Sequence, residues 1–301
     1  MKRDFTKLLD VTADECRHLL ARAAFLKRVR KAGGEYQPLK GRSLGMIFEK
    51  ASTRTRVSFE IGMRELGGHA LFLSPTETQI GRGEPIRDTA RVLSRYLHAI
   101  MVRTFSQETV DELATWSSIP VINGLSDLYH PCQILADLLT IIEKKGGLEG
   151  LKIAYVGDGN NMANSWIEAA LLLGFTLTIA TPKGYEPARE LCEKGREKSV
   201  LELTSDPFEA ATGADVINTD VWVSMGMEKE REERIRAFSS FCINDELLRI
   251  AKSGAIVMHC LPAYREQEIT NDVFERFQDV IFTQAENRLY AQQALLEWLI
   301  R

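Results

Sequence analysis

Ser52, Thr53, Arg54 and Thr55 stand in a row, one residue after the charged pair Glu49-Lys50 and before an apolar periodicity of Phe59, Met63 and Leu66. Residues 43–48, SLGMIF, read as a buried strand, so the hydroxyl-rich segment falls at a strand-to-helix turn. A helix start carries unpaired amides and a partial positive charge, and hydroxyls and a guanidinium placed there add donors, so the segment suits a phosphoryl group. His130-Pro131-Cys132-Gln133 opens a second helix, over 131–145, with His130 and Gln133 at i, i+3 and able to address one ligand. Arg103 closes the apolar run IMV at the carboxyl end of a strand, where open α/β sheets bind ligands. Glu286-Asn287-Arg288 follows an expected strand over 279–283 and offers one more guanidinium. Each signal has a plain alternative: a capping serine, a loop histidine, arginines in solvent.

The second half of the chain carries a different chemistry. Asp220 follows ADVINT, an expected strand, and precedes Ser224-Met225-Gly226, and a carboxylate at a strand end suits an ammonium group. Cys260 ends the run GAIVMH, where a thiol is either tuned for reactivity or a small buried hydrophobe. Gly157-Asp158-Gly159-Asn160-Asn161 starts like a dinucleotide turn after a strand. The third glycine position holds Met162, however, and the next strand ends at Ala180-Thr181 without an acidic residue for a ribose. A nicotinamide cofactor is therefore not expected, and Asn161 is available for another ligand.

The elements that must position these residues alternate. Thr12 and Glu15 form a capping-box pattern before a helix with Leu19, Leu20, Ala23 and Leu26 on its apolar side, closed by Gly33 and Gly34. Strands are expected at 43–48, 70–73, 99–102 and 119–122, with helices after the first and near 86–97 and 131–145. The pattern restarts near Gly146–Gly150. Strands then follow at 151–156, 175–180, 214–218, 255–260 and 279–283, with a helix over 162–173 and an amphipathic last helix bearing Leu289, Leu295, Leu296 and Leu299. This alternation specifies an α/β protein with two doubly wound parallel-sheet domains. The expected boundaries are 1–147 and 148–285, with 286–301 as the closing helix. The charge run Glu228–Arg236 reads as a solvated helix or mobile loop.

With 301 residues, 45% hydrophobic and 27% charged, the chain has material for two cored domains. A net charge of −4 argues against a nucleic-acid partner, so anionic ligands need local basic clusters. Five cysteines without a CxxC pair fit a reducing compartment. The start, MKRDFTKLLD, lacks an apolar signal core and no membrane-length apolar run occurs, so a cytoplasmic protein without a membrane partner is expected.

Taken in order, FEKASTRTRVSFE, HPCQILAD, DVWVSMG and HCLP resemble the signature segments of the ornithine carbamoyltransferases, within the aspartate/ornithine carbamoyltransferase family. The resemblance runs essentially the whole length. STRTR and HPxQ are shared with the aspartate enzymes; DxxxSMG and HCLP are the ornithine-type features. One departure is Tyr264 in HCLPAYR, where many relatives have histidine. The resemblance implies a carbamoyl phosphate-binding first domain onto which the C-terminal helix packs back, and an ornithine-binding second domain. It implies transfer of a carbamoyl group from carbamoyl phosphate to the δ-amine of L-ornithine, with no metal and no organic cofactor. Ser52, Thr53, Arg54, Thr55, Arg103, His130, Gln133 and Arg288 would bind carbamoyl phosphate, with Gln79 lent by a neighbouring subunit of a homotrimer or an assembly of trimers. Asn161, Asp220, Ser224 and Met225 would bind ornithine. Cys260 and Leu261 would face its reacting end and the carbamoyl group, and Thr55, Arg103, His130 and Cys260 are the catalytic candidates. Sister transferases that use aspartate, putrescine or an acylated ornithine are the nearest rivals.

Overall fold

The computed structural model describes residues 2–74 and 83–301. Its residues group into two compact units, Met1–Leu139 with Glu286–Arg301, and Thr140–Ala285. Both dividing points of this grouping fall within helices.

The first unit opens with α1 (Ala13–Lys31). The Thr12 hydroxyl accepts from the Glu15 amide at 3.2 Å, and Glu15 accepts from the Thr12 amide at 2.9 Å, so the expected capping box forms. Then come β1 (Ser43–Phe48), α2 (Thr53–Glu65), β2 (His69–Leu73), α3 (Ile86–Leu93), β3 (Ala99–Arg103), α4 (Gln107–Trp116), β4 (Val121–Leu125) and α5 (Pro131–Lys145). Among the described residues the strands form one parallel sheet in the order β2-β1-β3-β4. Ile47, Ile100, Val102 and Val121 give it an apolar face against Ala90, Val110 and Leu113 of the helices.

The second unit contains β5 (Lys152–Val156), α6 (Asn161–Leu173), β6 (Thr176–Ala180), α7 (Arg189–Glu197), β7 (Leu201–Thr204), α8 (Pro207–Ala211), β8 (Val216–Thr219), α9 (Arg231–Ala237), α10 (Asp245–Leu248), β9 (Ile256–His259) and α11 (Asn271–Arg276). Its parallel sheet has the order β7-β6-β5-β8-β9. One core joins Val156, Ile217 and Val257 to Trp222, Phe238, Phe241 and Phe274.

Both orders reverse beside the unit's first strand. The chain winds outward in one direction, then crosses to the other side of β1 at β3, and of β5 at β8. At such a reversal the loops leaving adjacent strands diverge and open a crevice at the carboxyl ends.

The expected strand over 279–283 is instead the first turn and a half of α12 (Gln278–Ile300). A short β-branched and aromatic run, DVIFT, does not discriminate strand from buried helix by itself. Val280, Ile281, Gln284 and Arg288 are all buried at helical spacing, and no Gly or Pro interrupts 278–300. Arg288 therefore projects from a helix, not from a loop behind a strand. The helices α4, α7 and α8 and the strand β7 also carry no clear sequence pattern; QETVDELATW, for instance, buries only Val110 and Leu113.

Gly159, in the dinucleotide-like turn, packs closely against the protein's own chain. A Cβ there would lie 2.3 Å from the Tyr185 carbonyl oxygen and 2.4 Å from backbone atoms of Glu186 and Pro187. Because that neighbour is backbone, Gly159→Ala should destabilise the fold by about 1–3 kcal/mol through overpacking. A lowered midpoint in denaturant unfolding checks this, with Gly146→Ala, which meets nothing within 4 Å but keeps a φ of +83°, measuring the backbone cost alone.

Candidate active site

In the first unit the side chains converge at the carboxyl ends of β1 and β3. Ser52 caps α2, its hydroxyl accepting from the Thr55 amide at 3.2 Å. The amides of Thr53 and Arg54, in the first turn, have no acceptor within the helix by geometry. Thr55 is fully buried, and its hydroxyl accepts from Arg288 Nη2 at 2.7 Å and from Arg103 Nη1 at 3.3 Å. Opposite Arg103 the pairing of β3 with β4 slips by one residue, from Val102↔Asn123 to Arg103↔Leu125, so Gly124 is extra and the sheet edge kinks at the site.

Gln133, on the first turn of α5, accepts from Arg288 Nη1 at 2.9 Å and donates to Asp137 Oδ1 at 2.7 Å. The carboxylate thus fixes the amide so that its carbonyl faces the guanidinium. Asp137 was not singled out from the sequence, although Gln133 and Asp137 at i, i+4 on a helix were the available signal. His130 is buried just before Pro131. Burial, together with the guanidiniums of Arg288, Arg103 and Arg54, holds its imidazole well below the ordinary histidine range. It is a neutral imidazole in a positive field.

Lys50 and Glu49 pin this edge. Buried Lys50 pairs with Asp127 and lies 4.2 Å from the Phe105 ring centroid, and Thr104 donates to Glu49. The strand ends that carry Ser52, Arg103 and His130 are thereby tied together. Gln79 falls in 75–82, outside the described residues.

The second unit gathers its own group at the ends of β5, β8 and β9. The Cys260 thiol donates to Asp220 Oδ1 at 3.0 Å, and Asn160 Nδ2 donates to Asp220 Oδ2 at 3.0 Å. The side-chain oxygen of Asn160 meanwhile caps α6, accepting from Met162 N at 2.9 Å. Asn160 therefore joins cap and carboxylate, while Asn161 is the first residue of α6 and partly buried. Ser224 is partly buried and Met225 is 48% exposed.

His259 precedes the thiol and is fully buried. Its Nδ1 accepts from the Leu261 amide at 2.9 Å, so the proton sits on Nε2, which donates to Glu268 at 3.0 Å. The ring atoms lie near Asp220 and Cys260, but both nitrogens are engaged, which makes His259 a brace rather than a ligand donor. It holds Leu261 at φ 62°, a left-handed conformation uncommon for a branched residue. Glu268 also accepts from the Tyr264 amide at 2.5 Å. The Tyr264 side chain is 44% exposed, so at this departure from the family pattern the buried interaction belongs to the backbone.

The charge run at 228–236 is helical throughout, a 3-10 turn over Glu228–Glu230 leading into α9, and one member is not solvated. Arg234 is buried and pairs with buried Asp158 at 3.0 Å. Burial pushes the Asp158 carboxyl up to about 6, against the pull of Arg234.

Two family models match the chain: the carbamoyl-P binding domain of aspartate/ornithine carbamoyltransferase over residues 3–143, and its Asp/Orn binding domain over 149–299. An ornithine carbamoyltransferase of Syntrophotalea carbinolica is 55% identical, with all of both chains covered. Among solved structures, the ornithine carbamoyltransferase from Pyrococcus furiosus is 49% identical at TM-score 0.95, covering 99% of this chain and 97% of that one. The anabolic ornithine carbamoyltransferase from Campylobacter jejuni is 44% identical at TM-score 0.94, covering 99% of each.

The depressed basicity of His130 has a measurable sign. The folded state binds this proton less readily than the unfolded chain, whose histidine titrates near about 6.5. Stability is therefore present above that value and falls as pH drops below it toward the folded value. His130→Gln should flatten this part of the pH dependence. Thermal melts of both proteins between neutral and mildly acidic pH check it; parallel curves would remove the effect.

Proposed function

The chain belongs to the aspartate/ornithine carbamoyltransferase family, and on that premise we propose that it transfers the carbamoyl group of carbamoyl phosphate to the δ-amine of L-ornithine, giving L-citrulline and phosphate, as a step of arginine biosynthesis. The first unit with its closing helix would bind carbamoyl phosphate, and residues 148–285 would bind ornithine. The observation that carries the reading is the arrangement around Thr55: two guanidiniums share one hydroxyl next to a helix start and a neutral histidine. This suits a phosphate carrying an acyl-type group better than an isolated anion.

The chemistry follows from those groups. The amides of Thr53 and Arg54, with Ser52 and the Arg54 guanidinium, would take the phosphate. Thr55, Arg103 and His130 would donate to the carbamoyl oxygen, with Gln133 and Arg288 completing the set. Ornithine would be held by Asn161, Asp220, Ser224 and Met225, with Cys260 and Leu261 toward its reacting end.

The δ-amine, with a lysine-like pKa of about 10, must be neutral to attack. Its lone pair adds to the carbonyl carbon, and the oxygen gains negative charge that preorganised donors stabilise. The carbon–oxygen bond to phosphate then breaks, and phosphate accepts the proton from nitrogen. A neutral His130 fits a hydrogen-bond donor to that oxygen better than an acid. Asp220, bonded to the Cys260 thiol, offers a carboxylate to an approaching ammonium.

The acceptor is tested by assaying ornithine, aspartate and putrescine side by side. Ornithine should turn over fastest; faster turnover of either rival overturns the specificity.

A cytoplasmic homotrimer, or an assembly of trimers, is part of the proposal. The edge strand β2 leaves Leu71 54% exposed, and Val57 on α2 is 53% exposed, apolar surface that a neighbouring subunit would cover. Arg54→Ala removes a charge-assisted contact of about 1.5–3 kcal/mol and should weaken carbamoyl phosphate binding at least about tenfold. If Gln79 completes a neighbour's site, reassembling inactive Arg54→Ala and Gln79→Ala subunits into mixed trimers should restore activity. No recovery in verified mixed trimers would mean that each subunit builds its own site.

A further inference from the structure

The segment 220–234 leaves β8 at Asp220, carries Ser224 and Met225, and rejoins regular structure in α9. Much of it faces solvent: Met225, Gly226 and the acidic and basic residues of 228–233 are exposed. Local bonds shape its middle, with the Met227 amide donating to Ser224 and the Gly226 amide to Glu228. Neither fastens the segment to the body of the unit.

Arg234 does. Its Nη1 donates to Asp158 Oδ2 at 3.0 Å and to the Trp222 carbonyl at 3.1 Å, and its Nε donates to Glu230 at 2.9 Å. The guanidinium carbon also lies 5.0 Å from the Tyr185 ring centroid. Asp158 belongs to the turn after β5, two residues before Asn160. That one turn thus holds both ends of the segment, through Asn160 on Asp220 and through Asp158 on Arg234. A guanidinium buried this deeply in a run of otherwise exposed charges needs its partner, because an uncompensated buried charge is costly. The fork geometry lets one side chain bond a carboxylate, a backbone carbonyl and a glutamate together.

We propose that the Asp158–Arg234 pair is a latch that sets the conformation of 220–234, making both residues positioning residues for the acceptor amino acid. The inference rests on the assignment of Asp220, Ser224 and Met225 to the acceptor. Release of the latch leaves the Cys260–Asp220 contact and the whole first unit untouched. It frees the part of the segment that bears Ser224 and Met225.

The test compares Asp158→Asn, Arg234→Lys and the exposed control Arg236→Gln with the wild type. Two readouts are taken on folded protein: steady-state kinetics for both substrates, and the rate of tryptic cleavage at Lys229 and Arg231. The latch variants should raise the KM for ornithine at least about tenfold while kcat and the KM for carbamoyl phosphate change by less than about threefold, a split that general destabilisation does not produce. Cleavage should accelerate in the same variants, and Arg236→Gln should match the wild type. Arg234→Lys keeps the buried charge but loses the fork, so it supplies the comparison if Asp158→Asn does not fold. Wild-type ornithine KM together with wild-type cleavage in a folded latch variant overturns the proposal. If the wild type forms no citrulline, the acceptor reading fails instead, and the cleavage rates still decide whether the latch restrains the segment.

Discussion

In a parallel sheet every crossover returns the chain to the same edge, so all strands end, and all their outgoing loops begin, on one side. Where the strand order reverses beside the first strand, two outgoing loops leave in opposite directions and cannot cover one another. Both units obey this constraint, and each places its candidate functional side chains there. In the first, the turn after β1 supplies Ser52 to Thr55 and the end of β3 supplies Arg103. In the second, the turn after β5 supplies Asn160, the end of β8 supplies Asp220, and the neighbouring β9 leads to Cys260. The remaining helices cover the sheet faces and keep these edges rigid.

The two groups differ in electrostatic character. Around Thr55, positive charge accumulates on one buried hydroxyl, and the nearby histidine stays neutral because burial and the same guanidiniums oppose its protonation. Such a place is prepared for an anion that brings its own negative charge. Around Asp220, a carboxylate is held by the side-chain amide of Asn160 and the thiol of Cys260, each at 3.0 Å. That arrangement keeps negative charge available to an ammonium. An acyl phosphate and an amine fit these opposite characters, which is the physical content of the family likeness.

Supporting residues carry much of this arrangement. Asp137 orients Gln133, Lys50 and Glu49 tie strand ends, and His259 with Glu268 holds Leu261 in a conformation it would not choose alone. None of them need touch a substrate. Each fixes the direction of a group proposed to do so, and small errors in that direction are expensive for transfer chemistry.

The sequence by itself determined the α/β alternation, the position of STRTR at a strand-to-helix turn, the capping box of α1 and the membership signalled by HPCQ, DVWVSMG and HCLP. Those features are local: they depend on period, turn chemistry and short spacing. Tertiary structure alone decided that DVIFT is helical, because its buried Val280 and Ile281 fall in line with Gln284 and Arg288 along α12 and three apolar residues in a row suit either state. It alone singled out Arg234 from a run of similar charges, since only the approach of Asp158, distant by 76 residues, makes that one position a buried ion pair. It also joined Arg288 to Thr55 across 233 residues. Contacts of that range have no period and no motif; they exist once the sheets have wound and brought separate strand ends to one edge.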